Sequence, residues 1–231
     1  MRSFRPWIAE ALAAAEVLLS PPRCAACDAP LERPGFVCEA CEPEAPAPVV
    51  ETLPCGLQVV AVSAYDGALV AAVRRLKYEG RSDLARGLGE RLSVVARRFL
   101  PRPDVLVPVP LHPARLADRT YNQAALVANG VGRALSVRVA PLGLVRLREG
   151  ATQASLGRRD RVANASGLFA ARERFDGEHV VVVDDVVTTG ATAVAAAAAT
   201  LLAGARSVSI AAVLRAGVVE GGPRPLPRPL P

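Results

Sequence analysis

The sequence predicts an α/β domain on a parallel sheet with helices over both faces, preceded by a small N-terminal helix and a cysteine module. Three observations carry this. The apolar runs "LQVVAVSAY", "DVLVPVP", "EHVVVVDD" and "RSVSIAAVLRA" alternate with stretches whose apolar residues recur at helical spacing. Those runs are continuous rather than alternating, as strands buried on both faces are. Four cysteines stand as two C-x-x-C pairs ahead of them, among prolines. We divide the 231 residues into a helix and cysteine module (1–48), an α/β domain (49–217) and a proline-rich tail (218–231).

In order along the chain, residues 1–20 form a short amphipathic helix through Trp7, Ile8, Leu12 and Leu19. Glu10 and Glu16 interrupt it and argue against a signal-peptide core. "LQVVAVSAY" is a strand, and "GALVAAVRRLKYEG" is a helix that runs to a stopping glycine. A second helix, "SDLARGLGERLSVVARRFL", is expected to be capped by Ser82 or Asp83 and to end near Pro101. "DVLVPVP" is a short strand ended by proline, and "YNQAALVANGVGRAL" is helical. "LVRLRE" is a brief strand and "TQASLGRRDRVANASGLF" a polar loop. "EHVVVVDD", "GATAVAAAAATLLAGA" and "RSVSIAAVLRA" then read strand, helix, strand. The tail "GGPRPLPRPLP" suits neither helix nor sheet.

Composition narrows the function. No charge-free run of 18 apolar residues appears, so no membrane-spanning helix is expected and we read the chain as cytoplasmic. A net charge of +6 favours a phosphate-bearing partner without making the dense patch of a dedicated nucleic-acid binder. Cys24, Cys27, Cys38 and Cys41 offer the tetrahedral four-sulfur set that zinc prefers. Two disulfides are the rival, disfavoured in a reducing compartment. Four thiolates leave no open position, so this zinc would be structural. Cys55 is a spare thiol.

A parallel sheet of this kind binds ligand beyond the carboxyl ends of its strands. "VVVVDD" aims Asp184 and Asp185 at that crevice, and "VVTTGATA" is expected to turn from there into the next helix. Unpaired amides at a helix start, small side chains and threonine hydroxyls cradle an anion. A matching ligand carries hydroxyls or a bound cation at one end and a phosphate at the other, which is the shape of a ribose 5-phosphate. Other phosphate chemistries fall away. The only lysine is Lys77, no G-x-x-x-x-G-K-[ST] occurs, and "GLGERL" and "GVGRAL" lack a dinucleotide fingerprint. There is no G-x-S-x-G, and neither His112 nor His179 fits a hydrolase triad.

"VVVVDDVVTTGATA" resembles the phosphoribosyl pyrophosphate (PRPP) signature of type I phosphoribosyltransferases. With "PPRCAAC", the four-cysteine knob, "LKYEGRSDLARGLGE", "VPVPLHPARLADRTYNQAA" and "TQASLGRRDRVANASGLF", the chain is similar to the ComF, or GntX-like, family. Thr120 stands where that family usually has glycine.

The resemblance implies a role for each matching position. Asp184 and Asp185 would hold the ribose hydroxyls of PRPP, and the run Val186, Val187, Thr188, Thr189, Gly190, Ala191 and Thr192 would hold its 5-phosphate. The turn at Pro110, Leu111 and His112 would meet the pyrophosphate, with Arg115 and Arg119 close behind and Asn122 and Gln123 opening the next helix. Lys77, a compact charge retained in a chain of arginines, is expected to act at the site. Gln153, Arg161 and Asn164 lie in the loop that closes over PRPP in related enzymes.

Two functions follow. One is Mg²⁺-dependent phosphoribosyl transfer to an unidentified nitrogen acceptor. The other, implied by natural competence, is handling of single-stranded DNA with the competence machinery, the PRPP site being vestigial or regulatory. Both leave assembly into a homo-oligomer open.

Overall fold

The computed structural model describes residues 22–33, 35–41, 47–65, 67–147 and 167–217. The leading helix, the proline-rich tail and the loop holding Gln153, Arg161 and Asn164 lie outside the described residues. The strands are β1 (Val49–Thr52), β2 (Gln58–Ala64), β3 (Val105–Pro108), β4 (Arg138–Val139), β5 (Leu144–Arg146), β6 (Phe169–Ala171), β7 (His179–Val187) and β8 (Ser207–Arg215). The helices are α1 (Gly67–Tyr78), α2 (Leu84–Phe99), α3 (Pro113–Arg119), α4 (Gln123–Leu135) and α5 (Ala191–Leu202).

Six strands form one sheet in the order β1-β2-β8-β7-β3-β4. All neighbours in it are parallel except β1, which folds back antiparallel on β2. The expected parallel sheet is therefore present, with an antiparallel edge that four residues, "VVET", were too few to announce. "LVRLRE" departs further. Leu144–Arg146 pairs antiparallel with Phe169–Ala171 in a separate two-stranded sheet.

β7 shows how the core is divided. Alternation sends Val181 and Val183 into a layer with Leu76 of α1, Leu88 and Leu92 of α2, and Val127 and Val131 of α4. Val180 and Val182 face the other way, onto Ala195, Ala196 and Ala199 of α5 with Phe169 and Phe175. The alanines let α5 lie close to the sheet. At the start of β7, His179 is 3% exposed. Its Nδ1 lies 2.7 Å from the Ser207 hydroxyl, and burial pushes its pKa down. His179 thus sits at the start of β7, the end of the strand away from the acids, a structural place.

The expected cap of α2 is corrected in part. Asp83 occupies the N-cap position, but its carboxylate accepts from Arg81 at 2.9 and 2.8 Å and caps nothing. Thr120 terminates α3 with φ 62, donating its N–H to Leu116 O at 2.9 Å. A left-handed β-branched residue costs about 1–2 kcal/mol, which explains a preference for glycine there. Thr120→Gly is expected to raise stability by about 1 kcal/mol, the relief being partly offset by a freer unfolded chain. Gly190 presents the opposite case, with φ 80 and Leu53 Cδ1 3.1 Å from where a Cβ would stand. Gly190→Ala is expected to cost at least as much, and urea melts of the two variants check both signs.

The cysteine module packs on this body. Ala25 is wholly buried in the α1–α2–α4 layer, and Phe36 packs against that layer with Arg91 stacked 4.1 Å above its ring. Asp28 accepts from Arg23 at 2.9 Å, Arg75 at 2.7 Å and Arg81 at 2.5 Å, so one carboxylate ties the module to α1 and to the turn after it. Among the described residues no helix is long and apolar enough to cross a membrane.

Candidate functional site

The sequence suggested that β7 would end on its two acids. It runs two residues further, because Val186 and Val187 pair with Leu214 and Arg215 of β8. The turn into α5 is accordingly only Thr188–Gly190. Strand alternation places the acids on opposite faces of the sheet. Asp184 shares the α5 face with Val180 and Val182, and Asp185 faces α1.

On the α5 side, Asp184, Val186, Val187, Thr188, Gly190, Thr192 and Ala193 line a pocket of about 40 Å³. By the same measure one water needs ~10–15 Å³. Gly190 has no side chain to cap α5, and Ala191 N reaches Thr189 Oγ1 at the long distance of 3.4 Å. Helix-start amides of this kind, with the positive end of the helix dipole behind them, suit an anionic oxygen cluster.

On the α1 side, Lys77 Nζ stands 2.8 Å from Asp185 Oδ1, and Asp185 is 8% exposed. The one lysine of the chain thus meets one of the two acids, a contact joining positions 108 residues apart by their numbers. Tyr121 fixes that end of α1 by donating its hydroxyl to Leu76 O at 2.6 Å.

Asp184 behaves differently from its neighbour. Burial, with the charge of Asp185 beside it, pushes its carboxyl up from 3.8 to about 8. The Asp185 N–H, donated to Asp184 Oδ1 at 2.8 Å, and the charges of Lys77 and Arg146 pull back but do not win. Because the folded pKa lies above the unfolded one, the protonated form favours folding. The stability it contributes is full below about 3.8 and is lost as pH rises through about 8. A ligand that needs both acids ionised must therefore expel a proton below pH 8. Its affinity is expected to rise up to about tenfold per pH unit between pH 6 and 8, while the melting temperature of the unliganded protein carries the opposite contribution. Calorimetry in two buffers of different ionisation heat measures the released proton.

The candidates at the far side of the crevice divide. Asn122 caps α4, accepting from Ala124 N at 3.0 Å, and donates Nδ2 to Val109 O at 3.0 Å, which fastens the loop holding Pro110, Leu111 and His112. Arg119 stacks 4.8 Å over the exposed Tyr78 ring and donates to Gln123 Oε1 at 3.3 Å. Gln123 is wholly buried, and its Nε2 has no hydrogen-bond partner among the described residues. Arg115 is exposed on α3. Glu51 and Arg215 had no place in the sequence reading. Arg215 Nε donates to Glu51 Oε1 at 2.5 Å directly beside the phosphate-type turn. A charge closing the apolar run "SVSIAAVL" was the available signal.

The four cysteine sulfurs lie within 4.8 Å of one another and can hold a metal ion. Burial pushes the Cys24 thiol up, but backbone N–H groups led by those of Cys27 and Cys38, each 3.4 Å from its Sγ, bring it down to about 6. The Cys41 thiol keeps its proton in hydrogen bonds to Cys27 and Cys38, which drive it up to about 12. A cluster split between a ready thiolate and a crowded thiol is one a cation would relieve.

Comparisons with known proteins follow this geometry. Residues 102–224 match a family model described as phosphoribosyl transferase domain. The chain is 33% identical to "DNA utilization protein YhgH" of Salmonella typhi over 197 residues, 83% of each chain. It is 27% identical to "Competence protein F" of Haemophilus influenzae over 135 residues, 55% of this chain and 59% of that one. Among solved structures it is similar to the glutamine PRPP amidotransferase of B. subtilis, with 21% identity and a TM-score of 0.39 over 65% of this chain and 29% of that one.

Proposed function

The chain belongs to the phosphoribosyl transferase domain family, in its ComF-like branch, and from that premise we propose that it binds PRPP with Mg²⁺ and transfers the phosphoribosyl group to a nitrogen acceptor. The observation that carries the reading is the placement of Asp184 at the rim of the Thr188–Thr192 pocket with Asp185 locked to Lys77 behind it. In this reading the turn holds the 5-phosphate and the acids accept from the ribose hydroxyls. Mg²⁺ supplies charge neutralisation at the pyrophosphate when bound. The anomeric C–O bond breaks with its electron pair departing on pyrophosphate, a C–N bond forms, and the acceptor nitrogen gives up a proton. The chain's share is orientation and electrostatic preorganisation. The four-cysteine cluster is assigned to structural zinc, and the chain to the cytoplasm.

Calorimetric titration of the metal-loaded protein with PRPP, with and without Mg²⁺, tests this. Micromolar binding that needs Mg²⁺ is expected. No binding in either condition overturns it.

A second reading, the grip of single-stranded DNA, is supported by the names of the relatives and by one surface. Arg97 and Arg102 line a groove of about 460 Å³, and Arg133 lines an adjoining one of about 500 Å³. The two share Ser136 and Val137, at the sheet edge opposite the acids. No acidic or aromatic residue lines either, so the chemistry is that of backbone phosphates rather than stacked bases. Replacing Arg97 and Arg102 with glutamate is expected to flatten the salt dependence of oligonucleotide binding, by roughly 0.7 in log-log slope for each lost contact. An unchanged slope removes this surface from consideration.

A further inference from the structure

Arg215 is the one arginine that is buried among the described residues, at 8% exposure. Burying a guanidinium is costly unless its donors are all used. Here Nε and Nη1 are both used, on groups around one turn. Nε donates to Glu51 Oε1 at 2.5 Å, and Nη1 donates to the carbonyl of Val187 at 3.3 Å and to those of Thr188 and Ala216. Two of the three carbonyls belong to the end of β7 and the first residue of the turn that follows the acids.

In a trans peptide the C=O and the N–H point in opposite directions. A guanidinium that captures the Thr188 carbonyl therefore holds the Thr189 N–H on the other side of the turn, where Thr188 and Thr189 are exposed. Without that capture, the Thr188 carbonyl loses the donor that holds it away from an incoming anion. Glu51 sets the guanidinium from the opposite side. It lies on β1, whose following residue Leu53 packs against Gly190 of the same turn.

We propose that Arg215 is a positioning residue for the phosphate-binding turn, fixing the Thr188 peptide so that amide donors rather than a carbonyl face the anion, with Glu51 as its anchor. The proposal rests on the phosphate reading of that turn. It gives the planar fork a purpose that lysine cannot serve, since one ammonium has no rigid spread of donors to span a carboxylate and several carbonyls.

The test uses the full-length, metal-loaded chain and two probes: ribose 5-phosphate, which reports on the turn, and PRPP with Mg²⁺. Arg215→Gln and Arg215→Lys are both expected to weaken ribose 5-phosphate at least tenfold, with Glu51→Gln intermediate. In ¹⁵N-labelled wild type, inorganic phosphate is expected to shift the Thr189 amide. Folded Arg215 variants that bind ribose 5-phosphate like wild type overturn the proposal while leaving the site reading intact, provided that wild type binds PRPP. If wild type binds neither probe, the site reading itself fails and the proposal with it. Should the Arg215 variants not fold, the Thr189 amide decides, and its failure to move with phosphate is the overturning result.

Discussion

Asp185→Asn is expected to weaken Mg²⁺–PRPP binding by about tenfold to a hundredfold. The carboxylate is nearly buried, and losing a charged hydrogen-bond partner costs roughly 1.5–3 kcal/mol. Its ion pair with Lys77 sharpens the expectation. The amide deprives the ammonium 2.8 Å away of its ion-pair partner, so the local field changes as well as the hydrogen bond. Removing the like charge beside Asp184 also lowers that group's pKa, so the pH dependence of any residual binding should flatten between pH 6 and 8. Calorimetry over that range reads both effects. An affinity equal to wild type at every pH would refute the assignment of Asp185 to the ligand.

Chelation of the metal is expected to lower the melting temperature by about 5–10 °C. The module buries Ala25 and packs Phe36 against the core beneath Arg91, and loosening it exposes that surface. Exposing one large apolar side chain costs roughly 1.5–3 kcal/mol, and 1 kcal/mol moves the melting temperature of a domain this size by about 2–4 °C. The Asp28 contacts to Arg75 and Arg81 go with it. Binding carried by the Asp184–Thr192 segment is spared, because its residues stand on β7 and α5. Differential scanning calorimetry before and after chelation, with zinc added back, measures the loss. An unchanged melting temperature sinks the structural role.

What the sequence made legible was local. The cysteine spacing, the paired acids and the threonine-glycine turn are each written within a few residues; the cysteines come together, and the acids stand near the end of β7, which outruns them by two valines. Lys77 was legible for an unusual reason, its solitude among arginines. The strand boundary after Asp185 was missed because valines favour a strand whether or not a turn is due, and only the partner strand decides. Arg215 and Glu51 were out of reach because they are separated by 164 residues and meet through the order of the sheet. Asp28 is similar, since its partner Arg81 lies 53 residues on. Asn122 was read as a ligand residue or a cap, and its bonds to Ala124 and Val109 make it a cap.

The strand order has a consequence for synthesis. β8 lies between β2 and β7, so the ladder that unites the two halves of the sheet is made of residues translated after every other described strand. Before Ser207 is made, β1–β2 and β7–β3–β4 have no strand to join them into one sheet. Both β2 and β7 then present an unpaired edge while the ribosome finishes. The parallel register that closes the gap is slow to find. The window between the emergence of β7 and of β8 is spanned by α5, with its run of alanines.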